Sequence, residues 1–178
     1  VLLTRCSPSE PRSAAEPVRT GVRLALDWGK SRIGVAASDR DGLLAFPVET
    51  VPAGPAAISR VVALVGEYEP IELILGWPRN LAGEDGPAAQ AMLVVAGALA
   101  TALPQLPLRL VDERLTTATA SRQLAGAGRN TRKQRQVIDQ AAAVALLDTA
   151  LQQERNTGQP AGEQFDGDGV QEGRNRNE

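Results

Sequence analysis

Three acids stand where a carboxylate is hard to explain as solvated surface: Asp27, Glu113 (or its neighbour Asp112) and Asp139. Asp27 closes the apolar run Leu24-Ala25-Leu26 and is followed closely by Gly29. A carboxylate among apolar groups is costly unless something pairs with it. Where several carboxylates converge, that partner is usually a metal ion; the alternative is that Asp27 only caps a turn. The pair Asp112-Glu113 closes a second apolar run, Leu106 to Val111. Strand side chains alternate between faces, so only one of the two can point towards Asp27 if the strand continues that far. A solvated strand end followed by a Thr116 or Thr117 helix cap is the alternative there. Asp139 has Ala142, Ala143 and Leu146 at helical spacing, and Val137, Ala141, Val144, Leu147 and Leu151 form a second apolar row. That pattern predicts a packed face for Asp139, where it would meet a metal or pair with Arg32 or Arg114.

The chain contains no histidine and one cysteine, Cys6. This excludes histidine acid–base chemistry, Ser-His-Asp triads and ordinary zinc sites. A metal here must be held by oxygen, which points to Mg²⁺ or Mn²⁺. Two such ions about 3.5–4 Å apart would stabilise the attacking and leaving oxygens of phosphodiester hydrolysis. Arg129, Arg132, Lys133 and Arg135 lie just ahead of Asp139. They form either a solvated helix start or a set of phosphate contacts. Aromatic residues make up only 3% of the chain, so base stacking is not the expected grip. Trp77 is the exception. It is predicted to be exposed in a Gly/Pro loop at the active edge, with packing against the second helix as the alternative.

The elements that must position these residues follow from the pattern. Strands are predicted at about 22–28, 31–38 and 43–51, the last carrying Pro47 and therefore suited to a sheet edge. A helix over 56–68, a strand over 71–75, a helix over 87–103 and a strand over 106–111 come next. A short helix is expected to about Ala125 and a final helix over 132–154. The result is an α/β fold: a mixed five-stranded sheet with an antiparallel meander of three strands, two parallel strands, and helices on both faces. Ligands of open α/β sheets bind beyond the carboxyl ends of the parallel strands, where Asp27 and Asp112-Glu113 both fall. Residues 1–20 are expected to be a disordered leader, 21–155 the folded domain, and 156–178 a disordered, Gly-rich tail that carries the acidity. The uncharged stretch 86–108 is bracketed by Pro87 and Pro104 and reads as a buried helix, not a membrane span. A lone cysteine fits a reducing cytoplasm.

Together these residues resemble the YqgF family of bacterial proteins, also described as RuvX, which is ribonuclease H-like and related to Holliday-junction resolvases. The likeness covers about residues 22–152. It is carried by Leu26-Asp-Trp-Gly-Lys-Ser-Arg-Ile-Gly-Val35, Phe46-Pro-Val-Glu-Thr50, Leu75-Gly-Trp-Pro-Arg-Asn-Leu-Ala-Gly-Glu-Asp-Gly-Pro87, Val111-Asp-Glu-Arg-Leu-Thr-Thr117 and Val137-Ile-Asp-Gln-Ala-Ala-Ala143. The resemblance implies a metal-dependent nuclease of ribonuclease H-like fold, with Asp27, Glu113 and Asp139 as the catalytic and metal-binding acids. Asn80 and Arg114 would support the site, and Arg132, Lys133 and Arg135 would add substrate contacts. The implied substrate is structured RNA, the 5′ end of pre-16S rRNA, in the cytoplasm and in association with the ribosome. The alternatives are branched DNA as substrate or a non-catalytic ribosome-assembly factor. An ATP-binding phosphotransferase of the actin-like type shares the Asp-x-Gly pattern but needs two lobes, and this chain has length for one. Trp77 and Arg79 depart from the family's usual aliphatic residues.

Overall fold

A computed structural model describes residues 19–78, 87–112 and 132–167. The first strands are β1 (Arg23–Trp28), β2 (Arg32–Ser38) and β3 (Ala45–Pro52). Helix α1 (Ala57–Tyr68), strand β4 (Glu72–Trp77), helix α2 (Pro87–Ala102) and strand β5 (Leu108–Asp112) follow. Helix α3 (Arg132–Thr157) and strand β6 (Glu163–Gln164) end the described chain. The sheet order is β3-β2-β1-β4-β5-β6. Strands β1, β2 and β3 form the expected antiparallel meander, and β4 and β5 run parallel to β1. The edge position of β3 is as Pro47 requires. The register slips there, with Val35 facing Glu49 and Ala36 facing Pro47, so a bulge accommodates the missing donor.

The two faces of the sheet differ in kind. Leu24, Leu26, Leu73, Leu75 and Leu110 pack under α1 and α2. Ala25, Ala36, Ile74 and Val111 pack under α3, against Ala143, Leu146, Leu147 and Leu151. Small residues on the α3 side let that helix lie close to the strands. The buried stripe of α3 is narrower than its composition predicts: Val137 is 65% exposed, and Ala141 is exposed as well. Helix α2 has 16 residues and buries Ala89, Met92, Ala96 and Leu99. Among the described residues no helix is long and apolar enough to cross a membrane.

Three expectations need correction. The sheet has six strands, because β6 adds antiparallel to β5. The segment after 156 is therefore not wholly disordered: α3 continues to Thr157, and Ala161 and Phe165 are buried. Arg109 holds the turn between them, donating from Nε to the Ala161 carbonyl at 2.6 Å and from Nη2 to that of Gly162 at 2.7 Å. Ala161 and Phe165 sufficed as apolar side chains because β5 offered an open edge. Lastly, Trp77 is not exposed. β4 runs two residues further than predicted, and alternation places Trp77 with Leu73 and Leu75, 3% exposed under α2. The predicted short helix near Ala125 falls outside the described residues.

Candidate active site

The site starts from one row across the sheet. In the register Asp27 faces Gly34, and Gly34 faces Thr50. Asp27 shares the parity of Ala25, hence the α3 face, and is 7% exposed. Over the middle of this row α3 comes into backbone contact with the sheet. A Cβ on Gly34 would lie 2.0 Å from the carbonyl oxygen of Asp139, so only glycine allows the helix to sit there. Thr50 fixes the neighbouring turn by donating its hydroxyl to the carbonyl of Gln136 at 3.1 Å. Sequence and register thus bring Asp139 above the strand that neighbours Asp27.

Asp27 and Asp139 line one cleft of about 470 Å³, together with Trp28, Lys30 and Arg32. The turn between β1 and β2 is closed by the Gly29 N–H donating to the Arg32 carbonyl at 2.9 Å. Gly29 is needed for space and not for an unusual φ, since a Cβ there would lie 2.7 Å from that same carbonyl oxygen. The turn delivers Arg32 to Asp139, with Nε donating to Oδ2 at 2.5 Å. This is the ion pair weighed from the sequence. The carboxylate keeps 24% of its side-chain surface exposed and the guanidinium 33%, so the pair sits at the rim of the cleft and not in the core.

Two carboxylates with no histidine or cysteine beside them make an oxygen set suited to a hard cation. Among the described residues no three His, Cys, Asp or Glu side chains come together. Glu113, Asn80 and Arg114 lie outside the described residues. Asp112 ends β5 with the parity of Leu108 and Leu110, which pack on the α1–α2 side. Arg132, Lys133 and Arg135 occupy the first turn of α3. Sequence reasoning passed over Gly34, Thr50 and Trp28. A glycine inside a strand flanked by apolar residues was the available signal for the first.

At the opposite end of β1 the structure holds a charge cluster that sequence reasoning missed. Arg23 is fully buried and donates from Nη2 to Glu154 at 2.9 and 3.0 Å. Arg19 joins it, from Nε to Glu154 at 3.0 Å and from Nη2 to Glu72 at 2.8 Å. Burial raises the Glu154 carboxyl, but hydrogen bonds from Arg19 and the charge of Arg23 outweigh it and hold the group below the usual range. The cluster ties α3 to β1 and β4 far from the cleft.

A model of the RuvX family, described as Holliday junction resolvase, matches residues 21–153. The chain belongs to the RuvX family. RuvX relatives named "Putative pre-16S rRNA nuclease" include a Cutibacterium acnes protein, 57% identical over 135 residues, covering 76% of this chain and 84% of that one. A Streptomyces coelicolor protein of the same name is 50% identical over 159 residues, covering 88% and 95%. Among solved structures, Thermus thermophilus RuvC in complex with a Holliday junction substrate superposes with a TM-score of 0.50 at 16% identity, covering 76% of this chain and 96% of that one. That likeness speaks for the fold, the ribonuclease H-like arrangement expected of a RuvX chain.

Proposed function

We propose that this RuvX chain is a metal-dependent nuclease that hydrolyses phosphodiester bonds in structured RNA, maturing the 5′ end of pre-16S rRNA in the cytoplasm. The observation that carries it is the approach of α3 over Gly34, which sets Asp139 and Asp27 on one cleft. Asp27 and Asp139 would hold Mg²⁺ or Mn²⁺. Alternation along β5 gives Asp112 the parity of the opposite face, which supports Glu113 as the third acid of the proposed set. When bound, two such ions supply an activated water and stabilise the leaving oxygen. The chain's own part is to converge the acids and to meet the substrate's charge. Lys30 and Arg32 stand at the cleft, and Arg132, Lys133 and Arg135 begin the helix above it, all able to contact phosphates. Asn80 and Arg114 complete the proposed substrate contacts. The relatives' names support pre-16S rRNA as the substrate, and association with pre-ribosomes would follow from that substrate.

Asp27→Asn keeps the size of the side chain and removes one charge and one ligand. It should lower Mg²⁺-dependent cleavage of a pre-16S 5′ RNA at least 100-fold while the chain stays folded. Carboxylates crowded without metal repel one another, so the metal-free variant should melt no lower than wild type. Mg²⁺ should raise the wild-type midpoint more than the variant's, since a ligand of the native state stabilises it by mass action. Wild-type cleavage by Asp27→Asn would overturn the site.

The description of the family model favours a second reading, resolution of branched DNA. A four-way DNA junction in the same assay decides between them. Cleavage of the junction and not of the RNA replaces the substrate. Binding without cleavage of either replaces the enzyme with an assembly factor.

A further inference from the structure

The acids account for only part of the cleft. Besides Asp27 and Asp139 its lining includes an apolar set, Trp28, Pro78, Ala88, Ala91, Met92 and Val95. Trp28 is half-buried, packed at its base against the core beneath α1 and α2. Phosphate and ribose have no use for such a wall. The component of a nucleic acid that is flat and apolar on its faces is the base. We infer that this wall is a nucleobase subsite in which Trp28 stacks on an unpaired base of the RNA strand whose phosphate meets the acids. The inference rests on the nuclease reading of the same cleft and adds to it a demand on the substrate, a single-stranded nucleotide at the point of attack.

Three features argue for this occupant. Asp27 and Trp28 are consecutive at the end of β1, so their side chains leave on opposite faces from Cα atoms about 3.8 Å apart. Both nonetheless line the one cleft at the end of the strand, so a nucleotide bent around that strand end can offer its phosphate to one and its base to the other. The cations of the cleft, Lys30 and Arg32, stand on the turn that follows Trp28 or at its end, so the backbone of an entering strand has positive charge beside the ring. The volume of about 470 Å³ falls in the range of small-molecule sites, about 300–1,000 Å³, and is too little for a base pair with its two backbones. Of the two tryptophans, Trp77 is core and Trp28 is at the cleft, so the aromatic platform is a different residue from the one the loop sequence advertised.

The test uses the whole chain, metal-free so that no cleavage occurs, and two probes of equal length and charge. These are a short polyadenylate and an abasic ribose-phosphate oligomer. Polyadenylate should quench tryptophan emission of wild type and not of Trp28→Phe, where Trp77 is the only reporter. Trp28→Phe should bind within a few-fold of wild type, because a phenyl ring still stacks. Trp28→Ala should bind polyadenylate roughly 5- to 100-fold more weakly, as for other base–aromatic contacts, and bind the abasic oligomer as wild type does. Equal losses on both probes, no loss on either, or unchanged wild-type emission would overturn the subsite. Because the readout is binding, the two readings fail separately. Stacking without cleavage under Mg²⁺ removes the nuclease and keeps the subsite, whereas cleavage without a change in Trp28 emission removes the subsite alone.

Discussion

Gly34 decides how closely Asp139 can approach Asp27, although it carries no side chain. Gly34→Ala would place a methyl group 2.0 Å from one backbone atom of α3 and 2.6 Å from the next. Neither can yield as a flexible side chain would, so the helix must lift. Overpacking of this kind costs about 1–3 kcal/mol, a fall in midpoint of roughly 2–12 °C for a chain of this size. Cleavage should fall much further, because lifting α3 carries Asp139 off the cleft. A variant that melts lower but cleaves normally would show that the close approach serves packing alone. At this scale the acids were legible in the sequence, since an acid inside an apolar pattern is conspicuous at once. The partners were not. That Arg32 meets Asp139 depends on the length of the Gly29 turn, and that Trp28 and not Trp77 meets the cleft depends on where β4 stops.

The long helix α3 is held at both ends by different means. Its start rests on Thr50 and Gly34, and its end is pinned by Glu154 in the cluster with Arg19 and Arg23. The Glu154 carboxyl titrates lower in the folded chain than in the unfolded one, so as pH falls the unfolded chain binds the proton first. The stabilisation is complete above the ordinary glutamate range, about 4.3, and is lost as pH drops through and below it. Glu154→Gln should lower the midpoint at neutral pH, by the equivalent of about 3 kcal/mol, since it leaves the buried Arg23 short of a partner. It should also flatten the fall of midpoint between neutral and acid pH. An unchanged acid limb would assign that limb to other carboxylates. Elements such as α3 and the β-meander were legible because their periods are long and their turn residues plain. The charge cluster was not, because Arg23 reads as the polar start of a strand and Glu154 as the polar end of a helix. Only the packing of α3 across β1 and β4 makes them neighbours.

In the molecule as a whole, the sheet is completed by the segment with least to bury. Phe165 and Ala161 close the β5 edge, and Phe165 reaches the core beneath α1 and α2. Burying a phenylalanine contributes about 1.5–3 kcal/mol, so a chain cut after Thr157 should melt roughly 3–12 °C lower. A chain cut after Gly167 keeps those contacts and should melt higher than the shorter one. Equal midpoints would mean that β6 adds nothing. Composition hid this strand because its apolar residues are few and its pairing is with a strand more than fifty residues earlier. Separation along the chain has another consequence, one of timing. Arg32 and Asp139 are 107 positions apart, and synthesis proceeds at about 5–20 residues per second, with earlier segments folding first. The meander that carries Asp27 is therefore made some 5–20 s before the helix that carries Asp139. Through that interval Ala25, Ala36 and Ile74 have no helix to cover them, and the two acids cannot act together. On the proposed reading the unfinished chain is thus inert beside whatever ribosomal RNA surrounds it, and its cleft receives Asp139 only as its last long helix closes.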